Sequence, residues 1–179
     1  VSNLAAAESG SRLRQEALGL YREVYDHYRT HNGPDNPLTM SYAGNLAMCL
    51  MYKPCTVIDC QEAAQLWQAV HDHRAKARGE QHNSTIDAAY WQGQALSWSG
   101  QHAAAVPLLQ KALAHRQQQL GPRHEDTVLA ETALHSATRA LLEGNSGEAA
   151  ASSTTGKAAA RQRKKQPGDG ASTSAAAAD

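Results

Sequence analysis

Small and large hydrophobic positions alternate along this chain in a pattern that occurs three times. The copies are marked by GPDNPLTM from Gly33, GEQHNSTI from Gly79 and GPRHEDTV from Gly121, each with Gly first, Thr seventh and an aliphatic residue or Met eighth. Successive glycines stand 46 and 42 residues apart. A repeat of this length indicates copies of one supersecondary unit stacked side by side, since a single unit cannot bury its own apolar face.

The segment before each glycine also matches from copy to copy. Counting backward from the glycine, the sixteenth residue is Ala, the thirteenth is Leu, the sixth is His, and the twelfth is always large and apolar. Separations of three and four residues place side chains on one side of a helix, so each copy predicts a helical hairpin packed through small residues. The matched columns are Ala17, Ala63 and Ala105; Leu20, Leu66 and Leu108; Tyr21, Trp67 and Leu109; Val24, Val70 and Ala112; and His27, His73 and His115.

Start and stop signals agree with this pattern. Gly33, Gly79 and Gly121 suit the left-handed residue that ends a helix, and Asn36 before Pro37 suits an N-cap followed by the first helical residue. The first copy is longer than the second. We expect its insertion between the two helices of the hairpin, near residues 54–59, where KPCTVIDC replaces the shorter SGQH.

These residues resemble the extended tetratricopeptide repeats of kinesin light chains, which share the 42-residue length. In that family GP-x-H-P-x-T precedes NLA and then G-x-x-x-x-A; here GPDNPLT, NLA at 45–47 and GQHAAA at 100–105 carry the resemblance, which spans residues 17–142. It implies an all-α fold, a right-handed superhelical array of antiparallel helical hairpins (a tetratricopeptide-type α-solenoid), over residues 1–143. The second copy departs from the family with WQG at 91–93, and the third keeps only its first helix, which we expect to act as a cap.

The resemblance implies a non-catalytic scaffold that binds a peptide or a helix in a concave groove lined by the first helix of each hairpin. Asn45 is the leading candidate, because the family uses an Asn there to hold a ligand backbone; a buried hydrogen bond between repeats is the alternative. The aromatic residues could anchor a ligand or pack between helices, and Arg139 could pair with a ligand acid or lie in solvent. The expected groove residues are Asn45, Met48, Tyr52, Tyr90, Trp91, Gln94, Trp98 and Arg139.

Composition supports one helical domain and narrows the choice of partners. Hydrophobic residues make up 41% of the 179, aromatics make up 5%, and Phe is absent, which favours helices over sheets. The 17 basic and 17 acidic residues cancel, so no global charge draws the chain to nucleic acid or to an anionic membrane. Since no apolar stretch could span a bilayer and no signal peptide is visible, we expect a cytoplasmic protein without a membrane partner.

No arrangement of residues predicts catalysis, a cofactor or a metal. Cys49, Cys55 and Cys60 are odd in number, close together and without a nearby ligand His, so we expect reduced loop fillers rather than zinc ligands or a disulfide framework. His71 and His73 are two residues apart and would point to different sides of a helix. Without a nucleophile motif or a phosphate loop, the chain is predicted not to be an enzyme and to take no small-molecule substrate.

The last part of the chain has a different composition. Residues 144–179 are rich in Ala, Ser, Thr and Gly and are predicted to form a disordered tail, because they cannot bury enough apolar surface to fold. The tail contains a basic cluster that could serve nuclear import or contact nucleic acid, or could be only a solvated linker. This cluster is Arg161, Arg163, Lys164 and Lys165.

Two other functions stay open at this point. The chain starts at Val1, so it could be the helical-repeat fragment of a larger multidomain enzyme or signalling protein. It could also be a structural segment that stacks on further repeats or associates with a second copy. Since about two and a half hairpins lie near the threshold for independent folding, we expect marginal stability.

Overall fold

A computed structural model of the chain describes the backbone of residues 2–52 and 55–163 and the side chains of residues 10–52 and 55–144. Over those ranges every regular element is an α-helix, so the all-α prediction is confirmed. The helices are α1 (Ser2–Asn32), α2 (Pro37–Leu50), α3 (Val57–Arg78), α4 (Asn83–Trp98), α5 (His102–Leu120) and α6 (Glu125–Arg163).

The helices pair as the repeat predicts. α2 and α3 form one hairpin, α4 and α5 form the next, and each helix from α1 to α4 packs against the one that follows it. We call α2, α4 and α6 the first-position helices, and α1, α3 and α5 the second-position helices. In these terms α1 is a second-position helix ahead of the first complete hairpin, and α6 is a first-position helix after the last one.

The turn between a second-position helix and the next first-position helix explains the Gly and Thr of the repeat. Gly33, Gly79 and Gly121 have φ of 89°, 95° and 86°, a region that glycine enters without steric cost, so the predicted stops are confirmed. Six residues later, the hydroxyl of Thr39 donates to the Gly33 carbonyl oxygen at 2.9 Å, and the hydroxyl of Thr85 donates to the Gly79 carbonyl oxygen at 3.0 Å. The recurring pair thus closes the turn with a side-chain hydrogen bond.

Each first-position helix starts at a capped residue three places after the glycine. Asn36 Oδ1 accepts from the Leu38 backbone N–H at 2.9 Å, with Pro37 as the first helical residue, which confirms the predicted N-cap. In the later copies the imidazole Nδ1 atoms of His82 and His124 accept from the second N–H of the helix in the same way. Different residue types therefore meet one requirement, since an N-terminal N–H has no partner within the helix.

Small residues set the distance between the two helices of a hairpin. Ala47 and Ala63 are fully buried between α2 and α3. In the next hairpin a Cβ added to Gly93 would lie 2.9 Å from Leu109 Cγ and 3.3 Å from the Ala105 carbonyl oxygen, so glycine is the residue that this contact admits. α4 and α5 thus pack closely across Gly93 and Ala105, in agreement with the prediction of a hairpin packed through small residues.

Two hydrophobic clusters run through the array. The first draws side chains from α1 to α4 and includes Leu46, Leu50, Trp67 and Val70. The second draws on α4, α5 and the start of α6 and is built from Ile86, Tyr90, Leu109 and several alanines, among them Ala105, Ala112, Ala130 and Ala137. Trp91 packs against both clusters.

α6 carries polar residues at positions where α2 and α4 carry small, buried residues. The repeat register aligns Glu131 with Ala43 and Ala89, and His135 with Ala47 and Gly93; Glu131 and His135 are exposed. A helix with this surface does not need a second-position partner, as a terminal cap requires.

The chain divides into two units, Val1–Leu141 and Leu142–Asp179. This division lies close to residue 144, where the tail was expected to begin, and the helical backbone of α6 runs on to Arg163. The Ala-rich sequence favours a helical backbone there, because alanine has the highest intrinsic helix propensity. Residues 164–179 and the side chains of 145–163 lie outside the described residues, so the expectations for Arg161, Arg163, Lys164 and Lys165 stay predictions.

The glycine contact gives a stability test with an internal control. We expect Gly93→Ala to lower the free energy of unfolding by about 1–3 kcal/mol, because the new methyl group meets a side chain and a carbonyl oxygen. Gly19→Ala places the same methyl group in open space on exposed α1 and should raise the free energy of unfolding by up to about 1 kcal/mol through helix propensity. Urea unfolding followed by circular dichroism measures both; equal effects of the two substitutions would contradict the packing.

Candidate functional site

A cleft of about 580 Å³ opens between α1 and α2. α2 contributes Asn45 and Met48, which lie on one side of the helix, and Tyr52 lies two residues after the helix ends. These are three of the eight groove residues expected from the sequence. α1 and the rest of α2 complete the lining with Gly10, Leu13, Arg14, Ala17, Tyr21 and Cys49.

The walls of this α1–α2 cleft are largely apolar and accessible. Leu13, Tyr21, Met48 and Tyr52 are exposed by 63%, 40%, 41% and 72% of their surface. Asn45 is also exposed, and no group in the described part of the chain hydrogen-bonds its amide, so the alternative of an inter-repeat hydrogen bond is not observed there. Four large apolar side chains thus surround one exposed amide whose donor and acceptor atoms have no hydrogen-bond partner among the described residues.

Arg14 holds the base of the cleft together. Its guanidinium donates to the carbonyl oxygens of Tyr52 and Leu50, both at 3.1 Å, and to Asp59 Oδ2 at 2.9 Å. It thereby binds α1 to the C-terminal end of α2, where carbonyl groups lack helical partners, and to the first turn of α3. The sequence does not reveal this role, because Arg14 aligns with Cys60 and His102 in the other copies and so belongs to no repeated column.

Asp59 is the acidic partner in this network and also caps α3. Partial burial alone would raise its pKa, but the backbone N–H of Thr56 and the Arg14 guanidinium outweigh that effect and leave the pKa of Asp59 lowered. The carboxylate therefore stays charged and holds Arg14 in place, with both side chains mostly covered.

The repeat register explains why this cleft is open. Tyr21 aligns with Trp67 and Leu109, which are 5% and 0% exposed. Trp67 is covered by α2, where a Cβ added to Gly44 would lie 3.5 Å from the ring, and Leu109 is covered by α4 through Gly93. In the described part of the chain no first-position helix stands ahead of α1, and Tyr21 is left uncovered. The α1–α2 cleft is therefore the place that a first-position helix occupies in the complete hairpins.

The other aromatic candidates lie partly in the core. Tyr90 is buried, its pKa is raised by burial, and the Arg116 guanidinium lies 4.2 Å from the centre of its ring. Trp91 packs beside Trp67, with ring centres 6.4 Å apart, and against the edge of Tyr90. Both rings thus fill the space between helices, which is the alternative that the sequence left open for the aromatic residues.

The remaining candidates are more accessible. Gln94 is half-buried, Trp98 is 36% exposed, and Arg139 is exposed on α6. Gln94 and Trp98 align with Met48 and Tyr52, so they hold the positions in the second copy that line the cleft in the first copy. Position in the repeat thus predicted where these residues lie along their helices, but not which of them would be covered by a neighbouring hairpin.

Two further observations concern other kinds of site. Among the described residues no group of three or more His, Cys, Asp and Glu side chains is arranged to hold a metal ion. Of the helices described, none combines the length and the apolar surface that a membrane span needs.

Solved structures of tetratricopeptide-like (TPR-like) repeats resemble this chain. Nearly identical TPR-like repeats named for a kinesin light chain of Podosopora anserina match 92% of this chain and 74% of that chain, at 24% identity and a TM-score of 0.58. A substituted variant of those repeats matches 89% of this chain and 74% of its own, at 23% identity and a TM-score of 0.60. BtubC (BKLC) from P. vanneervenii matches 93% of this chain and 64% of its own, at 16% identity and a TM-score of 0.59.

These likenesses establish the fold. No protein-family model matches the sequence, and no curated protein matches it. The chain has a TPR-like helical repeat fold, as its repeat predicted. At these identities the likeness does not extend to a ligand.

The Arg14 network gives a test with a neighbouring control. We expect Arg14→Gln to lower the free energy of unfolding by about 1–3 kcal/mol, because Asp59 and two carbonyl oxygens lose their donor. Arg12→Gln removes an exposed i,i+4 pair with Glu16, and this substitution should change the free energy of unfolding by less than about 0.5 kcal/mol.

The effect of Arg14→Gln should depend on pH. The folded pKa of Asp59 is lowered, so its pairing stabilises the fold above the ordinary aspartate pKa of about 3.9 and is lost as pH falls through the lowered value. Urea unfolding at neutral and acidic pH should therefore show wild type and variant converging in acid. A difference that stays constant with pH would rule out the ion pair as its cause.

Proposed function

We propose that this chain is a non-catalytic scaffold that binds an amphipathic helix of another protein, with the α1–α2 cleft as its anchor site. The observation that carries the proposal is the uncovered Tyr21, whose counterparts in the other copies are buried under first-position helices. The complete hairpins indicate which backbone conformation the ligand should have. They favour a helix rather than an extended strand, because α2 and α4 occupy the equivalent places as helices.

The same comparison describes the side chains that such a ligand needs. Where α2 crosses Trp67 it presents Gly44, and where α4 crosses Leu109 it presents Gly93. A ligand helix would likewise place Gly or Ala over Tyr21, with apolar residues one turn away to reach Leu13 and Met48. Burying such apolar side chains contributes most of the affinity of a helix in a groove, and a small residue permits the close approach.

Asn45 would add direction to this contact. Its exposed amide offers one acceptor and two donor hydrogens beside the apolar wall, so it can hydrogen-bond a polar group of the ligand. Gln94, Trp98 and Arg139 are accessible on the other first-position helices and would extend the contact for a longer ligand. Tyr90 and Trp91 act in this proposal as core residues that hold α4 in place.

A structural array is the second candidate, because the uncovered side of α1 would equally receive a further repeat. The polar surface of α6 argues against head-to-tail stacking of two copies of this chain, since Glu131 and His135 replace the small residues of the interior contacts. Sedimentation at increasing concentration separates the two candidates: a scaffold stays monomeric, whereas a self-stacking segment grows in mass.

The binding proposal can be tested without knowing the partner. A displayed library of random 16-residue peptides, a length that matches α4, is selected on the wild-type chain. We expect the enriched peptides to be amphipathic helices with Gly or Ala at one fixed position. Their affinity should fall by about 10-fold or more for the variant Asn45→Ala, Met48→Ala, Tyr52→Ala, because each change removes surface or an amide from the cleft.

A matched control removes comparable exposed apolar side chains elsewhere. Ile58→Ala with Leu129→Ala changes exposed residues of α3 and α6 and should leave the affinity unchanged. Circular dichroism must first show equal helicity for all three proteins. If the enriched peptides bind wild type and the cleft variant equally well, or lack a helical pattern, the α1–α2 cleft is not the working surface.

A further inference from the structure

Two cysteine side chains meet at the start of α3. Thr56 is the N-cap of this helix, so Cys55 is the residue just before the cap and Cys60 is the fourth residue of the helix. Their sulfur atoms lie 3.4 Å apart, with the Cys60 thiol donating toward Cys55 Sγ. Residues at these two positions commonly pack against each other across a helix start, as a hydrophobic staple, and here both of them are thiols.

The surrounding cap holds the two sulfurs in this arrangement. The Thr56 backbone N–H donates to Asp59 Oδ2 at 2.9 Å, and the Asp59 backbone N–H donates to Thr56 Oγ1 at 3.1 Å. Arg14 binds the same carboxylate from α1. The segment between the two cysteines is thus fixed by three hydrogen bonds, so the sulfur contact is a consequence of the cap and not of an unrestrained loop.

We propose that Cys55 and Cys60 are a redox-sensitive pair that a hydroperoxide converts into a reversible intrachain disulfide. Closing the sulfur separation to the bond length of about 2.05 Å requires a movement of the two side chains by little more than 1 Å. The third cysteine, Cys49, lies on α2 and lines the α1–α2 cleft, and it takes no part in the contact between the other two sulfurs.

The solvent exposure of the two cysteines decides which of them reacts with the peroxide and which one then forms the disulfide. Cys55 is partly exposed, whereas Cys60 is 1% exposed. Burial and the contact with Cys55 raise the pKa of Cys60 to about 12, so Cys60 is protonated at neutral pH. The peroxide therefore meets Cys55 first, and Cys60 resolves the product.

The reaction balances in two steps. The sulfur of Cys55 attacks one oxygen of hydrogen peroxide and breaks the O–O bond, which gives a sulfenic acid on Cys55; the departing hydroxide takes the Cys55 proton and leaves as water. The sulfur of Cys60 then attacks the sulfur of that sulfenic acid; the S–O bond breaks, and the departing hydroxide takes the Cys60 proton and leaves as water. Two thiols are oxidised by two electrons, the peroxide is reduced, and a dithiol reductant reverses the change.

The disulfide would constrain the start of α3, which is connected to the α1–α2 cleft through Asp59 and Arg14. It covalently fixes the start of α3, whose Asp59 binds Arg14, and Arg14 in turn binds the carbonyl oxygen of Tyr52 at the rim of the cleft. Oxidation thus strengthens the connection between α1, α2 and α3. Reduction removes this added covalent constraint at the start of α3.

The experiment oxidises the full chain with hydrogen peroxide and maps the product under non-reducing conditions. Cleavage before Asp35 and Asp59 separates Cys60 from Cys49 and Cys55, so a disulfide to Cys60 joins two otherwise separate peptides. Cys49→Ser removes the competing thiol and should give the linked pair at the wild-type yield. Cys55→Ser and Cys60→Ser should each abolish it.

Thermal unfolding supplies a second measurement. Closing a six-residue loop should raise the Tm of the oxidised chain by about 4–8 °C, and dithiothreitol should return it to the reduced value. Cys55→Ser is the matched control, because it keeps the fold at an accessible position and should show no peroxide-dependent shift. A link through Cys49, a disulfide between two chains, or a Cys55 that is oxidised to sulfinic acid without pairing would each overturn the proposal.

Discussion

The packing of a small residue against a large apolar one is the contact on which the rest of this structure depends. Gly44 against Trp67 and Gly93 against Leu109 bring a first-position helix close to its second-position partner. Trp67 and Leu109 are equivalent in the repeat, and Gly93 aligns with Ala47, which is fully buried between α2 and α3. Because protein interiors are close-packed, the separation of two helices is set by the side chains at their crossing, and a repeated crossing gives a repeated geometry. The hairpins therefore stack in one register, and their two hydrophobic clusters follow from it.

The open cleft beside α1 and the polar surface of α6 both follow from the same contact. Among the described residues, α1 carries the large residue of the pair, Tyr21, without a helix to cover it, whereas α6 carries His135 where α2 and α4 carry a small residue. α1 thus offers apolar surface, whereas α6 presents polar side chains to solvent. Exposed apolar surface of this kind, bordered by polar groups, is typical of interaction sites.

The site could be predicted from the sequence only in part. Asn45, Met48 and Tyr52 were identified through their place in the repeat, and they do line one cleft. Tyr90 and Trp91 have the equivalent kind of position but are packed in the core: Tyr90 packs with α5 and the start of α6, and Trp91 packs beside Trp67 of the preceding hairpin. The α1 wall of the cleft was missed, since the expected groove was built from first-position helices alone. The role of Arg14 on that wall could not be predicted from the sequence, because two of its partners are backbone carbonyl oxygens, which every residue type has.

The sequence by itself determined the repeat, the six-helix order up to the last copy and the turns between hairpins. These depend on local requirements: a glycine that takes positive φ, a cap for an unpaired N–H, and apolar spacing along a helix. Only the tertiary structure decided which equivalent side chains are covered, where α1 leaves a helix position open, and that Cys55 and Cys60 touch. Coverage depends on what the neighbouring hairpin places against a residue, and that is a property of the packed array rather than of the residue or its position in the repeat.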